Sequence, residues 1–447
     1  MNRQIFREYD IRGIAEEDLV PPLTENLGKA IGTYVQRMGG KNIVICRDNR
    51  LSSKRLRDEL ISGLLSTGCN VSDIGELPTP ILYFSIIHYH KDAGVMITGS
   101  HNPSEFNGFK ISYGERSIYG DEIQELRRII ESGTFSSGEG ILTKENPVSS
   151  YINCIKEKIS MERSIRVVVD AGNGTTSSLA PRLLKEIGCE VIKLYCQSDG
   201  NFPNHHPDPT IPENLKDLIA TVKKEGAGLG VAYDGDGDRI GVVDEEGEII
   251  WGDKLMIVFA REILAKNPGA KIVFDVKCSQ NLTEEIEKSG GIPIMWKTGH
   301  SLIEAKIKEE GALLGGEMSG HVYFADNYFG YDDALFATAR LMEILSRTNK
   351  KLSRLLTGIT EYKSTPEIRI PYPDEQKFEL VERVKKYFSE KYKTINIDGV
   401  KVLFADGWGL VRASNTQPIL VLRFEARTEK RLEEIKSLIT NKIKELQ

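Results

Sequence analysis

From 41 to 49 the chain reads KNIVICRDN: a charged start, four consecutive apolar residues, then a polar loop carrying an aspartate. IRVVVDAGNG (165–174) and AKIVFDVKCS (270–279) repeat that layout. A short apolar run bounded by polar and turn residues predicts a buried strand. A helical stretch follows each time, LSSKRLRDELISGLLSTG, TTSSLAPRLLKEIG and SQNLTEEIEKSG, and each closes on a glycine, as a helix stop does. A second short strand comes next: CNVSDIG, CEVIKLYC and IPIMWKTG. Three strand-helix-strand units predict three related α/β domains with mixed sheets flanked by helices.

The joints between units are polar or proline-rich. Residues 132–150, SGTFSSGEGILTKENPVSS, read as a linker into a helix that begins near Pro147. DEEGE (244–248) reads as a tight turn at a second boundary, and three prolines interrupt TPEIRIPYPDEQ (365–376). The expected domains are 1–149, 150–248, 249–363 and 364–447. The last reads as strand, glycine-rich turn, strand and one long helix, TEKRLEEIKSLITNKIKEL, which is a smaller α+β domain rather than a fourth repeat.

Composition narrows the function classes. With 447 residues, 40% hydrophobic and 28% charged, the chain has the balance of a soluble globular protein. No stretch approaches the roughly 20 apolar residues of a membrane span. The start MNRQIFREYD lacks the apolar core of a signal peptide, so the cytoplasm is the expected compartment. Six cysteines without a CxxC indicate neither a zinc site nor a disulfide framework. A net charge of −6 without a basic run argues against nucleic acid or membrane as partner. The expected partner is a small molecule, bound by a monomer or small homo-oligomer, and any anionic group on it must be held by local arginines and amides.

Four strings carry chemistry. DGDGDR (234–239) follows the apolar GLGVAY, and aspartates at alternate positions point the same way in an extended segment. Three convergent carboxylates repel unless a cation joins them, and oxygen ligands suit Mg²⁺. An EF-hand is excluded because its sixth position requires glycine and Arg239 stands there. That arginine is well placed to grip a phosphoryl oxygen. TGSHNP (98–103) lacks the G-x-S-x-G elbow of acyl transfer, so Ser100 reads as a serine that carries a phosphate. In GEMSGH (316–321), Glu317 and Ser319 are spaced to bond adjacent sugar hydroxyls; a glycine-rich turn is the bland alternative. VRASNTQP (411–418) offers an arginine and hydroxyl or amide side chains on a turn, a phosphate cradle or an ordinary polar hairpin.

Together and in this order, TGSHNP, DGDGDR, GEMSGH and RASNTQP resemble the α-D-phosphohexomutase superfamily, and IFREYDIRGI, GEMSGH and WGLVRASNTQPILVLRFEA resemble most its phosphomannomutase/phosphoglucomutase branch. The likeness spans the whole chain. It implies an active site in a central cleft between the domains and the interconversion of hexose 1-phosphate and 6-phosphate, of mannose, glucose or both, through a hexose 1,6-bisphosphate. Phosphoserine 100 would transfer the group, with Asp234, Asp236 and Asp238 binding Mg²⁺ together with its phosphate. Arg239 would hold the reacting phosphoryl group, while His101, Lys110 and Arg12 would assist transfer and proton movement. Glu317 and Ser319 would bind the sugar O3 and O4, with His321, His300 and Lys277 nearby. Arg412, Ser414, Asn415 and Thr416, with Tyr9, would clamp the phosphate that is not reacting. Gln417 stands where many members have glutamate, so no charge is expected there. The alternatives are a phosphoglucosamine-type mutase, a magnesium-dependent sugar phosphatase and a catalytically silent sugar-phosphate sensor.

Overall fold

A computed structural model describes residues 2–415 and 417–447. Each of the three repeated units begins with the predicted strand, Asn42–Arg47, Arg166–Asp170 or Lys271–Asp275. Helices Ser53–Ser66, Leu179–Glu186 and Gln280–Lys288 follow, and the next strands, Asn70–Glu76, Glu190–Leu194 and Ile292–Trp296, pair parallel to the first. The first helix stops where its glycine allows it: Gly68 takes φ +90°, which residues with a Cβ avoid.

In all three sheets a further strand then lies on the other side of the opening strand. Ala93–Ile97, Leu229–Tyr233 and Leu314–Gly316 each pair parallel with it and antiparallel with the strand that returns. These are the points where each sheet changes from parallel to antiparallel. TGSHNP, DGDGDR and the MSG turn of GEMSGH are the loops that leave those three strands. The repeat therefore presents three chemical loops from equivalent places.

One apolar cluster runs through the three units, from Val44 and Met96 by way of Val167 and Tyr233 to Phe336. The tail is built separately, as a six-stranded antiparallel sheet including Val400–Phe404, Gly407–Ala413 and Ile419–Ala426. Its own core contains Val384, Phe388, Leu422 and Ile439. A small patch of Val276, Trp408 and Leu410 joins it to the third unit. Among the described residues, no helix is long and apolar enough to cross a membrane.

Two elements depart from the sequence pattern. Inside the polar stretch 132–150, Leu142–Lys144 forms an edge strand beside Asn70–Glu76, and all three of its residues are exposed. An edge strand that buries no side chain leaves no apolar signature. The tail also has a helix, Lys377–Ser389, which the pattern had not singled out; it buries Leu380, Val381, Val384 and Phe388 at helical spacing.

Candidate active site

Ser100 sits just past Ile97 in the left-handed region, at φ +49°, a conformation uncommon for a residue with a side chain. Its Oγ donates to Asp234 Oδ2 at 2.8 Å and lies 3.0 Å from His101 Nδ1. The loop of the first unit thus meets the acidic loop of the second.

That acidic loop turns at Gly237, φ +73°, and its three carboxylates are fully buried with ligand oxygens within 4.8 Å of one another. Asp234 Oδ1 accepts the Gly237 and Arg239 amides, and Asp236 Oδ2 accepts from Thr79 Oγ1 at 2.7 Å and from Lys110 Nζ at 3.0 Å. Lys110 also donates to Asp238. Asp236 Oδ1 and Asp238 Oδ1 are buried with no hydrogen-bond partner. A buried carboxylate oxygen without a donor is costly, and a hard cation among three such groups removes the cost, so the residues present fit Mg²⁺.

The charges here are strongly perturbed. Burial, then the neighbouring Asp238 and Asp236, push the Asp234 carboxyl well above the usual range. Burial acts the same way on Asp238, but Lys110, His321 and Arg239 outweigh it and hold that group low. For Lys110, burial favours the neutral amine, yet Asp236 and Asp238 overcome it and keep the ammonium.

The third unit closes the site. An isolated bridge joins Arg239 to His321, and Arg239 Nε donates to His321 Nε2 at 2.9 Å. Because Nε2 accepts from Arg239, the proton of the neutral ring sits on Nδ1, which lies 2.7 Å from Asp332 Oδ2. Burial lowers this histidine to about 4, and it stays neutral at ordinary pH. Burial also depresses His101 and His300 well below the usual imidazole range, helped by Arg239 and Lys110 respectively. Glu317, raised by burial, accepts from the Gly299 amide at 3.1 Å and from Ser319 Oγ at 3.2 Å. Lys277 lies 3.2 Å from Glu367 of the tail. Arg12 pairs with Asp10 at 2.5 Å and reaches Asn102 Oδ1 at 3.3 Å.

From the tail, Arg412 Nε donates to Asp398 at 2.8 Å, and the Gln417 amide donates to Ser414 Oγ at 3.2 Å. Asn415 Nδ2 donates to Tyr9 Oη at 2.5 Å, and that hydroxyl donates to the Thr298 carbonyl at 2.7 Å. Thr416 lies outside the described residues.

A cavity of about 490 Å³ is lined by Tyr9, Arg12, His101, Arg239, Lys277, His300, Glu317, Ser319, His321, Arg412, Ser414 and Asn415. Ser100, Lys110 and the three aspartates are buried and are not among its lining residues. All the described candidate residues therefore gather in or directly beside one cleft. Sequence reading missed Thr79 and Asp398, which bond Asp236 and Arg412, and Asp332, which lies 2.7 Å from His321. Only Asp332 left a trace, as the first of two aspartates in YDDA; the second, Asp333, caps the helix Ala334–Ser346.

The sequence matches the α/β/α domains I, II and III and the C-terminal domain of phosphoglucomutase/phosphomannomutase over residues 3–137, 149–247, 251–362 and 367–442. It is 48% identical over 441 residues to a phosphomannomutase/phosphoglucomutase of Pseudomonas aeruginosa, covering 98% of this chain and 95% of that protein. A phosphoglucomutase of Neisseria gonorrhoeae is 44% identical over 98% of this chain and 96% of its own. A crystal structure of a phosphoglucomutase/phosphomannomutase family protein from Burkholderia thailandensis superposes with TM-score 0.94 at 42% identity, covering 100% of this chain and 98% of that one.

Proposed function

The chain belongs to the phosphoglucomutase/phosphomannomutase family, an isomerase of the hexose-phosphate mutase class, and from that premise we propose how its own residues perform the reaction. Ser100 carries the phosphoryl group. Asp234, Asp236 and Asp238 hold Mg²⁺, which when bound neutralises phosphoryl charge. The contact between Ser100 Oγ and the acidic loop carries this reading, because it puts the phosphate-bearing atom against the cation ligands.

Transfer breaks the bond from Ser100 Oγ to phosphorus and forms one from phosphorus to a sugar hydroxyl. That hydroxyl gives up a proton, and Ser100 Oγ becomes free to accept one in exchange. His101, neutral and 3.0 Å from Ser100 Oγ, is placed to exchange it. Arg239, aimed by its bond to His321 Nε2, steadies the group in flight. Lys110 stays protonated and supplies charge. His300 presents a buried Nε2 without a partner, fit to take the proton of the attacking hydroxyl.

The other end of the substrate needs a clamp that never reacts. Arg412, Ser414 and Asn415 with Tyr9 supply it, while Glu317 and Ser319 hold O3 and O4. The bisphosphate turns end over end, and its second phosphate returns to Ser100. Hydroxyl contacts confined to O3 and O4 leave C2 unread, so mannose and glucose phosphates both serve. The cytoplasm, where such sugar phosphates are metabolised, is the proposed compartment.

Phosphorus NMR tests this with Mg²⁺, a trace of glucose 1,6-bisphosphate, and glucose 1-phosphate or mannose 1-phosphate, beside Ser100→Ala. The expected result is a growing 6-phosphate signal that the variant lacks. Free phosphate alone would make the protein a hydrolase. A preference of several orders of magnitude between the two sugars would remove the dual specificity.

A further inference from the structure

Arg50 follows the first strand of the chain's first unit and is completely buried, with a side chain 0% exposed. A buried guanidinium ordinarily needs an acid to neutralise it and acceptors for its five donors. Asp48 Oδ2 lies 3.2 Å from Nε. The acceptors are four backbone carbonyls of one loop: Nη1 donates to Pro103 at 2.5 Å and Phe106 at 3.0 Å, and Nη2 to Ser100 at 2.8 Å and Asn102 at 2.6 Å. Asp48 Oδ2 in turn accepts the Gly99 amide at 3.1 Å. Two peptide planes beside Ser100 are therefore set by one ion pair, through the Gly99 N–H and the Ser100 carbonyl.

The surroundings allow this pair little play. A Cβ on Gly99 would stand 2.5 Å from Arg50 Cζ, and one on Gly235, in the acidic loop, 2.5 Å from the Ser100 carbonyl oxygen. From the second unit, Phe202 places its ring 5.4 Å from the guanidinium carbon and itself takes φ +50°. Ser100 at φ +49° is a strained conformation that persists only if its surroundings over-determine it. Arg50 touches neither the cavity nor the aspartates that face Ser100 Oγ, so its burial is not explained by ligand contact.

We propose that Arg50 is a positioning residue for phosphoryl transfer: by gathering the carbonyls of residues 100, 102, 103 and 106, it fixes the loop that aims Ser100 Oγ at the acidic triad, and Phe202 holds it from the second unit. This rests on Ser100 as the carrier of the phosphate. A lysine cannot replace the fork, because a compact ammonium has three donors and no planar reach to four acceptors. The consequence is a loss of turnover without loss of binding.

The test compares Arg50→Lys and Phe202→Leu with the wild-type enzyme and Ser100→Ala. Steady-state rates are normalised to folded protein by near-ultraviolet circular dichroism, and Ser100 phosphate loading from glucose 1,6-bisphosphate is followed by intact mass. For Arg50→Lys we expect kcat to fall on the order of 100-fold, the scale of a misplaced reacting atom, with KM and the Mg²⁺ activation constant within about threefold. Phe202→Leu should lower kcat by roughly fivefold with the same constancy of KM, and it decides the matter if Arg50→Lys does not fold. A role confined to stability would lower the melting temperature and leave kcat per folded molecule unchanged; that result, or a KM that rises with the fall in kcat, overturns the proposal. Wild-type protein that turns over without loading Ser100 would instead overturn the phosphoserine reading. Normal wild-type loading with unaffected variants overturns only the role of Arg50.

Discussion

The two ends of the cleft, the proposed reacting end at Ser100 and the proposed clamping end at Arg412, are built in opposite ways. At the reacting end, Ser100, Lys110 and three aspartates are drawn from the first two units, all buried, above an apolar core that runs unbroken through three units. At the clamping end, Arg412, Ser414 and Asn415 ride on a hairpin of the tail, whose core is separate and whose apolar junction with the rest is the patch of Val276, Trp408 and Leu410. Contacts across the mouth are polar: Tyr9 with Asn415, Arg7 with Asp374 at 2.8 Å, and Lys277 with Glu367. Chemistry that depends on sub-ångström aim needs a fixed frame. In the proposed reaction, a clamp that releases and regrips a turning bisphosphate calls for exchangeable polar contacts. The division of the molecule follows that division of labour.

Substitutions should separate the ends. The largest effect belongs to Asp236→Asn, which removes one of the proposed cation ligands and a partner of Lys110 and Thr79. We expect kcat to fall roughly a thousandfold, the several kcal/mol that a metal supplies to phosphoryl charge, with half-saturating Mg²⁺ raised. A titration with Mn²⁺ followed by electron paramagnetic resonance reads the lost ligand directly. Unchanged metal affinity would break the assignment of this end. Arg412→Lys acts on the other end, where a point charge replaces a fork. KM should rise about tenfold for both sugars, near 1.4 kcal/mol, while kcat at saturation moves little. A fall in kcat with KM unchanged would place Arg412 in the chemistry instead.

The smallest effect tests the seat of the tail. Lys401 is buried against Trp408 and donates to the Val276 and Cys278 carbonyls of the third unit at 3.0 and 3.2 Å. Burial, only partly opposed by Glu425, lowers its pKa from 10.5 to about 8. A folded pKa below the unfolded one means that the unfolded chain binds more protons between the two values, so stability rises with pH across that window and is lost as pH falls through about 8. Raising the pH by one unit above 8 should stabilise the wild type by roughly 1 kcal/mol relative to Lys401→Met, measured by denaturant unfolding at each pH. Parallel profiles would mean that the amine is not the group that titrates.

What the sequence revealed follows from how local each signal is. Helices such as Gln280–Lys288 declare themselves because a buried face imposes its period on adjacent residues, and strands such as Asn42–Arg47 because burial on both faces leaves a short apolar run. DGDGDR was equally legible, since three carboxylates at alternate positions stand out locally, and once buried together they call for a cation. Thr79, Asp398 and Arg50 were not, because their meaning lies in partners far along the chain: Thr79 is 157 residues from Asp236. A lone threonine at a helix start, or an arginine just past a strand, has no local mark of what it will hold. Leu142–Lys144 was hidden for a different reason, since backbone pairing alone makes it a strand.

The most direct measurement is a single turnover of protein carrying a radiolabelled phosphate on Ser100, mixed with excess glucose 1-phosphate and Mg²⁺. Label should leave the protein and appear first in glucose 1,6-bisphosphate, then, as the intermediate turns and returns its unlabelled 1-phosphate to Ser100, in glucose 6-phosphate. Label that remains on Ser100 while glucose 6-phosphate accumulates, or that appears only as inorganic phosphate, would contradict transfer through this serine.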